Sequence, residues 1–293
     1  MNDVLIRPMR PDDVPVAERL SAESFYDLDV RSHRPGLPEP ERRPAVRAGN
    51  WVTRTQHFLL TDAGGCWVAE VGGELVGFAT SFVREGTWFL ATYAVRPGLQ
   101  GHGLGKRLLD TAMTHGRGCL RGMLTASADP KAARRYRLAG FTLHPQMLLR
   151  GTVDRSAIPV IDKVREGTAG DVDLLDSLDR QTRGAAHGPD HQLMLAAWRL
   201  LVSDTTSGSG YAYVGPDGSL ALLAASNRRT ATRLLWAALA GTTGETVVPH
   251  LTVANEWAID VGMAARLELH QEGYLGLRGM KPPAPYVHNG ALL

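Results

Sequence analysis

The segment Ala94-Val95-Arg96-Pro97-Gly98-Leu99-Gln100-Gly101-His102-Gly103-Leu104-Gly105-Lys106 joins the end of an apolar run to the start of a helix-like pattern through a loop dense in glycine. Glycine removes the Cβ that keeps backbone amides apart, so successive N–H groups can converge on one anion. A helix start adds unpaired N–H groups and the positive end of its dipole. The ligand suited to such a device is a phosphate or pyrophosphate. Two familiar phosphate loops do not fit. The dinucleotide pattern G-x-G-x-x-G follows the first strand of a βαβ unit, whereas Gly101, Gly103 and Gly105 are spaced G-x-G-x-G and follow a late strand. The triphosphate pattern needs Ser or Thr after Gly-Lys, and Gly105-Lys106 is followed by Arg107.

Gln100-Gly101-His102-Gly103-Leu104-Gly105 resembles the Q/R-x-x-G-x-G/A acetyl-CoA loop of the GNAT superfamily of N-acetyltransferases. A second stretch, Asp129-Pro130-Lys131-Ala132, then Tyr136, then Gly140-Phe141, is similar to that family's N-x-x-A-x-x-x-Y-x-x-x-G-F ending, with Asp129 in place of the usual Asn. The resemblance implies an acetyl-CoA co-substrate. Its pyrophosphate would meet the amides of Gln100, Gly101, His102, Gly103, Leu104, Gly105 and Lys106. Its pantetheine arm would run along the backbone of Tyr93, Ala94 and Val95, with Asp129 on the cofactor side. No metal is implied.

Acetyl transfer to an amine requires a neutral amine, donors for the tetrahedral oxyanion and a proton for the departing thiolate. By the family's motif Tyr136 supplies that proton; the plain alternative is a packing tyrosine on an amphipathic helix. The resemblance implies that the oxyanion donor is a backbone N–H of the strand Trp88 to Val95, and the sequence does not choose which. Many family members carry a glutamate six positions before the last valine of this strand, but here that position is Phe89. Glu23, Asp27, His57, Glu85 or a water relay remain as the base.

The elements that must position these residues follow from local pattern. Trp67 to Val71 and Glu74 to Thr80 form a hairpin across Gly72-Gly73. Trp88 to Val95 is an apolar strand suited to a sheet centre. Gly105 to Thr114 is a helix with Leu108, Leu109, Ala112 and Met113 on one face. Met123 to Ala126 is a strand, and Pro130 to Ala139 is a helix that Gly140 stops. This is an α+β arrangement, a mixed and mostly antiparallel sheet flanked by helices.

The pattern then repeats. Displaced by 126 positions, Arg107-Leu108-Leu109 falls on Arg233-Leu234-Leu235, Ala132 on Ala258 and His144 on His270. Both copies end in Leu-Arg-Gly, at Leu149-Arg150-Gly151 and Leu277-Arg278-Gly279. Their starts match with a different offset: Leu5-Ile6-Arg7 leads to Asp12-Asp13-Val14, and Lys163-Val164-Arg165 to Gly170-Asp171-Val172. The expected organisation is a catalytic GNAT-like domain at 1–152 and a degenerate one at 160–293, ending in a Pro-rich tail. In the second copy Asn227, Arg229 and Ala231 stand where the first has Gly101, Gly103 and Gly105, and Gly262 stands where it has Tyr136.

Composition narrows the class. Charged residues are 21% and the formal net charge is +2, which argues against a nucleic-acid partner. Two cysteines, Cys66 and Cys119, form no disulfide framework. Met1 to Arg10, with Asp3, Arg7 and Arg10, has no apolar signal core, and no apolar run approaches a membrane span. The expectation is a cytoplasmic N-acetyltransferase acting on a primary amine of a small molecule. The alternatives are a protein N-acetyltransferase and a non-catalytic acyl-CoA-binding regulator. His187 and His191 lie in a segment with no third spaced ligand, so no metal site is expected.

Overall fold

The hairpin across Gly72-Gly73 joins β2 (Cys66–Val71) to β3 (Glu74–Arg84) in a computed structural model that describes residues 4–33 and 38–293. Both glycines have left-handed φ, 59° and 82°, where a Cβ is disfavoured. Met1, Asn2 and Asp3, which entered the N-terminal reading, lie outside the described residues. Among the described residues no helix is long and apolar enough to cross a membrane. The chain divides into two compact units, Met1–Cys119 with Asp129–Ala139, and Leu120–Ala128 with Gly140–Leu293.

In the first unit β1 (Val4–Pro8), β2, β3 and β4 (Thr87–Val95) pair antiparallel in that order. Four helices accompany them: α1 (Val14–Ser32), α2 (Ala45–Thr61), α3 (Leu104–Met113) and α4 (Pro130–Leu138). Leu104 and Leu108 of α3 pack with Ala69, Val76 and Val95 of the sheet, which fixes where α3 begins relative to the end of β4. A second anchor is an aromatic column. Phe58 of α2 stacks on Phe82 and Phe82 on Phe89, each with centroids 4.9 Å apart. Phe89 is therefore committed to packing at the position where the family resemblance leads one to look for a carboxylate.

The second unit holds α5 (Val172–Thr182), α6 (Asp190–Ala197), α7 (Arg228–Ala240) and α8 (Glu256–Ala264). One set of its strands, β5 (Arg121–Ala126), β6 (Thr142–Thr152), β11 (Glu245–Leu251) and β12 (Glu268–Arg278), lies in the order β5-β12-β6-β11. A separate sheet runs β13-β10-β9-β8-β7, from β7 (Arg165–Glu166), β8 (Arg199–Thr205), β9 (Gly208–Val214), β10 (Leu220–Ala225) and β13 (Tyr286–Val287).

The repeat is visible element by element. Displaced by 126 positions, α4 falls on α8 and β6 on β12 with both ends in register. β12 pairs antiparallel with both β5 and β6. A strand of the second repeat thus lies between two strands of the first, so units defined by compactness cut across the sequence repeat. The starts of the repeats match in chemistry as well. Arg7 clamps Asp13 at 2.7 and 2.9 Å, and Asp13 accepts the Arg10 amide at 2.7 Å. Arg165 clamps Asp171 at 3.0 and 2.5 Å, and Asp171 accepts the Thr168 amide at 2.8 Å. In each case an acid satisfies an amide at a helix start while an arginine of the preceding strand neutralises it.

The Pro-rich tail shows no strand pattern in sequence, yet Tyr286 and Val287 pair with Ala224 and Leu223. Asn255 explains the register. Its side chain donates to the Pro283 carbonyl at 3.0 Å and accepts the Tyr286 amide at 3.0 Å and the Trp257 indole N–H at 3.1 Å. Beyond it Leu292 and Leu293 are buried. Burial of Tyr286, Val287, Leu292 and Leu293 contributes on the order of 5 kcal/mol or more. Deleting residues 281–293 is expected to lower Tm by more than about 10 °C. Thermal melts of the full and shortened chains check this, and an unchanged Tm makes the tail an ornament.

Candidate functional site

The glycine-rich loop is tied down before it turns. The Arg96 amide donates to the Val76 carbonyl at 2.8 Å, extending the β3–β4 ladder by one rung. Arg96 also donates to the Leu75 carbonyl at 2.8 Å and pairs with Glu74 at 2.9 Å. The Gln100 side chain donates to the Val95 carbonyl at 3.1 Å, closing the loop back on the strand end. The backbone then passes through left-handed φ at Gly101 (91°) and Gly103 (84°), and nothing lies within 4 Å of where their Cβ atoms would be. Gly103 is the N-cap of α3 and has no side chain to cap it. Among the described residues no backbone acceptor takes up the N–H groups of Gly101, His102 or Gly103.

The other loop residues divide by direction. Leu104 is buried, so its side chain belongs to the core. Lys106 is exposed and bends along α3 to Asp110 at 2.6 Å. His102 is exposed. Gly105 is held for a different reason: a Cβ there would stand 2.2 Å from the Tyr93 hydroxyl. The family pattern admits alanine at this position, but in this chain Tyr93 excludes it. Ala94 and Val95 are buried at the end of β4.

Tyr136 projects from α4 and is buried. Its ring meets the ring of Tyr93 edge-on, with centroids 6.4 Å apart. The chain thereby brings together the first turn of α3, Tyr93 and Tyr136. Burial, with Tyr93 and Asp129 nearby, pushes the Tyr136 phenol well above its ordinary pKa, so the hydroxyl keeps its proton. Burial likewise pushes Tyr93 up to about 12. Asp129 spends its carboxylate as the N-cap of α4, accepting the Lys131 amide at 2.7 Å.

The four carboxylate and imidazole candidates are scattered. Glu23 and Asp27 line a groove of about 560 Å³ between α1 and α2, with Glu18, Arg42 and Arg43 also on its wall. Asp27 pairs there with Arg31 at 2.9 Å. His57 lies in α2, with its ring 5.9 Å from that of Phe58. Glu85 is exposed in the β3–β4 turn with φ 44°.

Two features of this region lie beyond the sequence reading. Thr80 pairs with Thr92 but Ser81 with Leu90, which leaves Ala91 as an extra residue, a β-bulge in the middle of β4. A bulge interrupts the ladder and re-aims backbone groups. Beside it, Arg54 of α2 reaches the Thr92 hydroxyl at 3.5 Å. Helical spacing carries a signal for Arg54, which sits on the stripe between the buried residues Trp51, Thr55 and Phe58. The bulge leaves no such signal.

The second unit contains the group that could hold a cation. Asp179, His187 and His191 are buried, and their ligand atoms lie within 4.8 Å of one another. Asp179 of α5 is the third side chain that the segment around His187 lacks in sequence. Its carboxylate is already engaged by protein donors: the Tyr211 hydroxyl at 2.5 Å, the His187 ring Nδ1 at 2.7 Å and the His187 amide at 3.2 Å. Burial would raise the Asp179 pKa, but His187, His191 and Arg183 override it and hold the carboxylate well below its usual range. Burial, with Arg183 nearby, lowers His187 to about 4. These donors satisfy the Asp179 carboxylate, while the buried Nε2 atoms of His187 and His191 are left without a hydrogen-bond partner.

Comparisons with known proteins fit this geometry. Residues 22–141 match the model of the acetyltransferase (GNAT) family. A mycothiol acetyltransferase of Streptomyces avermitilis is 40% identical over 96 residues, which is 31% of this chain and 31% of that relative's own length. Among solved structures, a Pyrococcus horikoshii protein assigned to the acetyltransferases superposes with a TM-score of 0.75 over 100% of this chain and 96% of its own, at 17% identity. A tandem GNAT protein from the clavulanic acid biosynthesis pathway superposes with a TM-score of 0.58 over 95% of this chain and 99% of its own, at 13% identity. At these identities the structures speak to the fold.

The contact between Gly105 and Tyr93 is open to a double-mutant test. Gly105→Ala should destabilise the protein by about 1–3 kcal/mol through overpacking. Tyr93→Phe removes the hydroxyl and leaves the ring's Cζ, 3.4 Å from the new Cβ, as the nearest atom. The double variant should therefore recover most of the loss. Chemical denaturation of the four proteins measures the coupling, and strictly additive effects would mean that Tyr93 does not set the limit.

Proposed function

We propose that this chain, whose residues 22–141 match the model of the GNAT acetyltransferase family, transfers the acetyl group of acetyl-CoA to a primary amine of a small molecule. The observation that carries the reading is the conjunction of the open amides at Gly101 to Gly103 with Tyr93 and Tyr136 beside the same helix start. The loop amides and the N-terminus of α3 hold the CoA pyrophosphate. The end of β4, from Tyr93 to Val95, carries the pantetheine arm. The bulge at Ala91 is where β4 can turn a backbone N–H toward the developing oxyanion.

The amine attacks the thioester carbonyl carbon, a tetrahedral intermediate forms, and the C–S bond breaks as it collapses. The thiolate takes a proton from Tyr136, and the ammonium proton leaves through a base. Glu23 and Asp27, on the wall of the α1–α2 groove, are candidates for that base. The likeness to a relative named for mycothiol acetylation favours a small molecule over a protein as the acceptor. The fold and the retained Tyr136 favour an enzyme over a passive acyl-CoA-binding regulator. The working cell compartment on this reading is the cytoplasm.

The second repeat acts as a scaffold without a cofactor. Asn227 stands at the position of Gly101, and its side chain caps α7 by accepting the Thr230 amide at 3.0 Å. A helix start that caps itself in this way has already used an amide that an anion would need.

Two measurements test the proposal. Tyr136→Phe should leave acetyl-CoA affinity nearly unchanged and lower kcat by about 10²-fold or more in a thiol-release assay with an active amine; an unchanged kcat reduces Tyr136 to packing. Calorimetric titration with acetyl-CoA should give one site per chain, lost in Gly103→Glu. Two sites, or binding that survives the substitution, would overturn the assignment. Binding without turnover on a broad amine panel would favour the regulator.

A further inference from the structure

We infer that the Arg54 guanidinium receives a carboxylate of the acceptor, so that the acceptor is an amine that also carries a carboxylate, such as an amino acid. This rests on the acetyltransferase reading and adds a substrate class to it.

The starting point is a half-buried cation with no counter-ion among the described residues. The Arg54 Nε is shut off from solvent and has no hydrogen-bond partner. Its Nη2 reaches Thr92 Oγ1 at 3.5 Å, the long limit of a hydrogen bond. No carboxylate among the described residues pairs with it, and the charge that acts on it is another cation, Arg43. Burial and then Arg43 lower its pKa to about 10, so it stays charged at neutral pH. The other partly or fully buried arginines named in this unit are treated differently. Arg7 meets Asp13 and Glu70, Arg43 meets Glu18 at 2.8 Å, and Arg84 meets Asp62 at 2.8 Å. A charge removed from water without a partner is costly. Arg54 alone of these four has its Nε shut off from water and no carboxylate among the described residues to meet its charge.

Its position gives the deficit a use. Thr92 follows the bulge at Ala91, so the guanidinium lies beside the part of β4 assigned above to the oxyanion. A guanidinium is a planar fork of donors that matches a carboxylate with two parallel hydrogen bonds. Arg43 cannot take this role, because Glu18 already engages it. Arg43 also lines the α1–α2 groove, whose wall carries Glu23 and Asp27. Those acids suit the amine end of the same molecule. An acceptor without an acidic group would leave Arg54 uncompensated.

The test pairs each common amino acid with its own amide as acceptor in the thiol-release assay. Acids that are acetylated should exceed their amides in kcat/KM by about tenfold or more, the worth of one charged hydrogen-bonded pair. In Arg54→Met that ratio should fall toward one, and in Arg54→Lys, which keeps the charge but not the fork, it should fall part of the way. A readout independent of turnover is thermal stabilisation by N-acetyl amino acids, expected in the wild type and absent in Arg54→Met. That variant should itself melt no lower than the wild type, since it removes an uncompensated, half-buried charge; a structural arginine would give a lower Tm. Amides used as well as acids, a preference retained in Arg54→Met, or no stabilisation by N-acetyl amino acids would each overturn the inference. If no amine of any kind is acetylated, the acetyltransferase reading fails instead, while the stabilisation arm still decides the role of Arg54.

Discussion

The left-handed turn at Gly103, with φ 84°, is the constraint on which the arrangement of the first unit depends. A side chain in that conformation costs about 1–2 kcal/mol, so glycine is what lets the chain swing from the end of β4 into the first turn of α3. The swing leaves the N–H groups of Gly101, His102 and Gly103 without a backbone acceptor among the described residues. It also sets Leu104 and Leu108 into the apolar cluster with Ala69, Val76 and Val95, and that burial holds the turn in place. Gly105 then lies under the Tyr93 hydroxyl, and Tyr93 meets Tyr136. The polar geometry of the candidate site is thus set by apolar packing a few residues away. The side chains of the loop matter less: Gln100 is used to close it, and Lys106 turns to Asp110.

The second repeat keeps the frame and loses the turn. α8 and β12 reproduce α4 and β6 at the same displacement, and Arg165 holds Asp171 as Arg7 holds Asp13. These features maintain secondary structure and core, and they survive. The glycines that open the amides do not: Asn227 satisfies the start of α7 from within. Asn255, which retains the family's spacing, now latches the tail through Pro283, Tyr286 and Trp257. β12 lies between β5 and β6, so the last long strand of the second repeat completes a sheet begun by strands of the first. Loss of the second repeat's strands would leave β5 and β6 with unpaired edges, which is reason enough for a repeat without a cofactor loop to persist.

What was legible in the sequence follows the range of the interaction. The hairpin at Gly72-Gly73, the start of α3 at the glycine loop and the start of α4 at Asp129-Pro130 are decided by residues within a turn or two, and all are where local pattern puts them. The bulge at Ala91 depends on β3 as well as β4, and nothing in Leu90-Ala91-Thr92 announces it. The tail strand depends on β10 and Asn255, far away in the chain, so its proline-rich sequence looked patternless. Asp179 joins His187 and His191 because a helix and the following loop fold onto each other, not because of a ligand spacing. Arg54 is an intermediate case. Its place on the buried stripe of α2 is readable from Trp51, Thr55 and Phe58, but its want of a counter-ion is a fact of three-dimensional surroundings.

That last distinction separates the two charges of interest. Asp179 is deeply buried and pays nothing for it in unmet hydrogen bonds, since Tyr211 and His187 occupy its oxygens and Arg183 lies close. Such a network rigidifies the unit around it, and its unmet groups are the ring nitrogens His187 Nε2 and His191 Nε2 rather than the charge itself. Arg54 is half-buried, with its Nε cut off from solvent and its charge unmet by any carboxylate among the described residues. Natural chains tolerate local conflict of this kind chiefly where function compensates for it. The conflict here falls beside the irregular rung of β4, between a strand proposed to carry the acyl group and a helix whose aromatic residues are fixed in the core. α2 has little freedom to carry Arg54 away, because Trp51 meets Phe78 edge-on and Phe58 is stacked on Phe82. A cation held there by its neighbours' packing is relieved by an anion that comes to it.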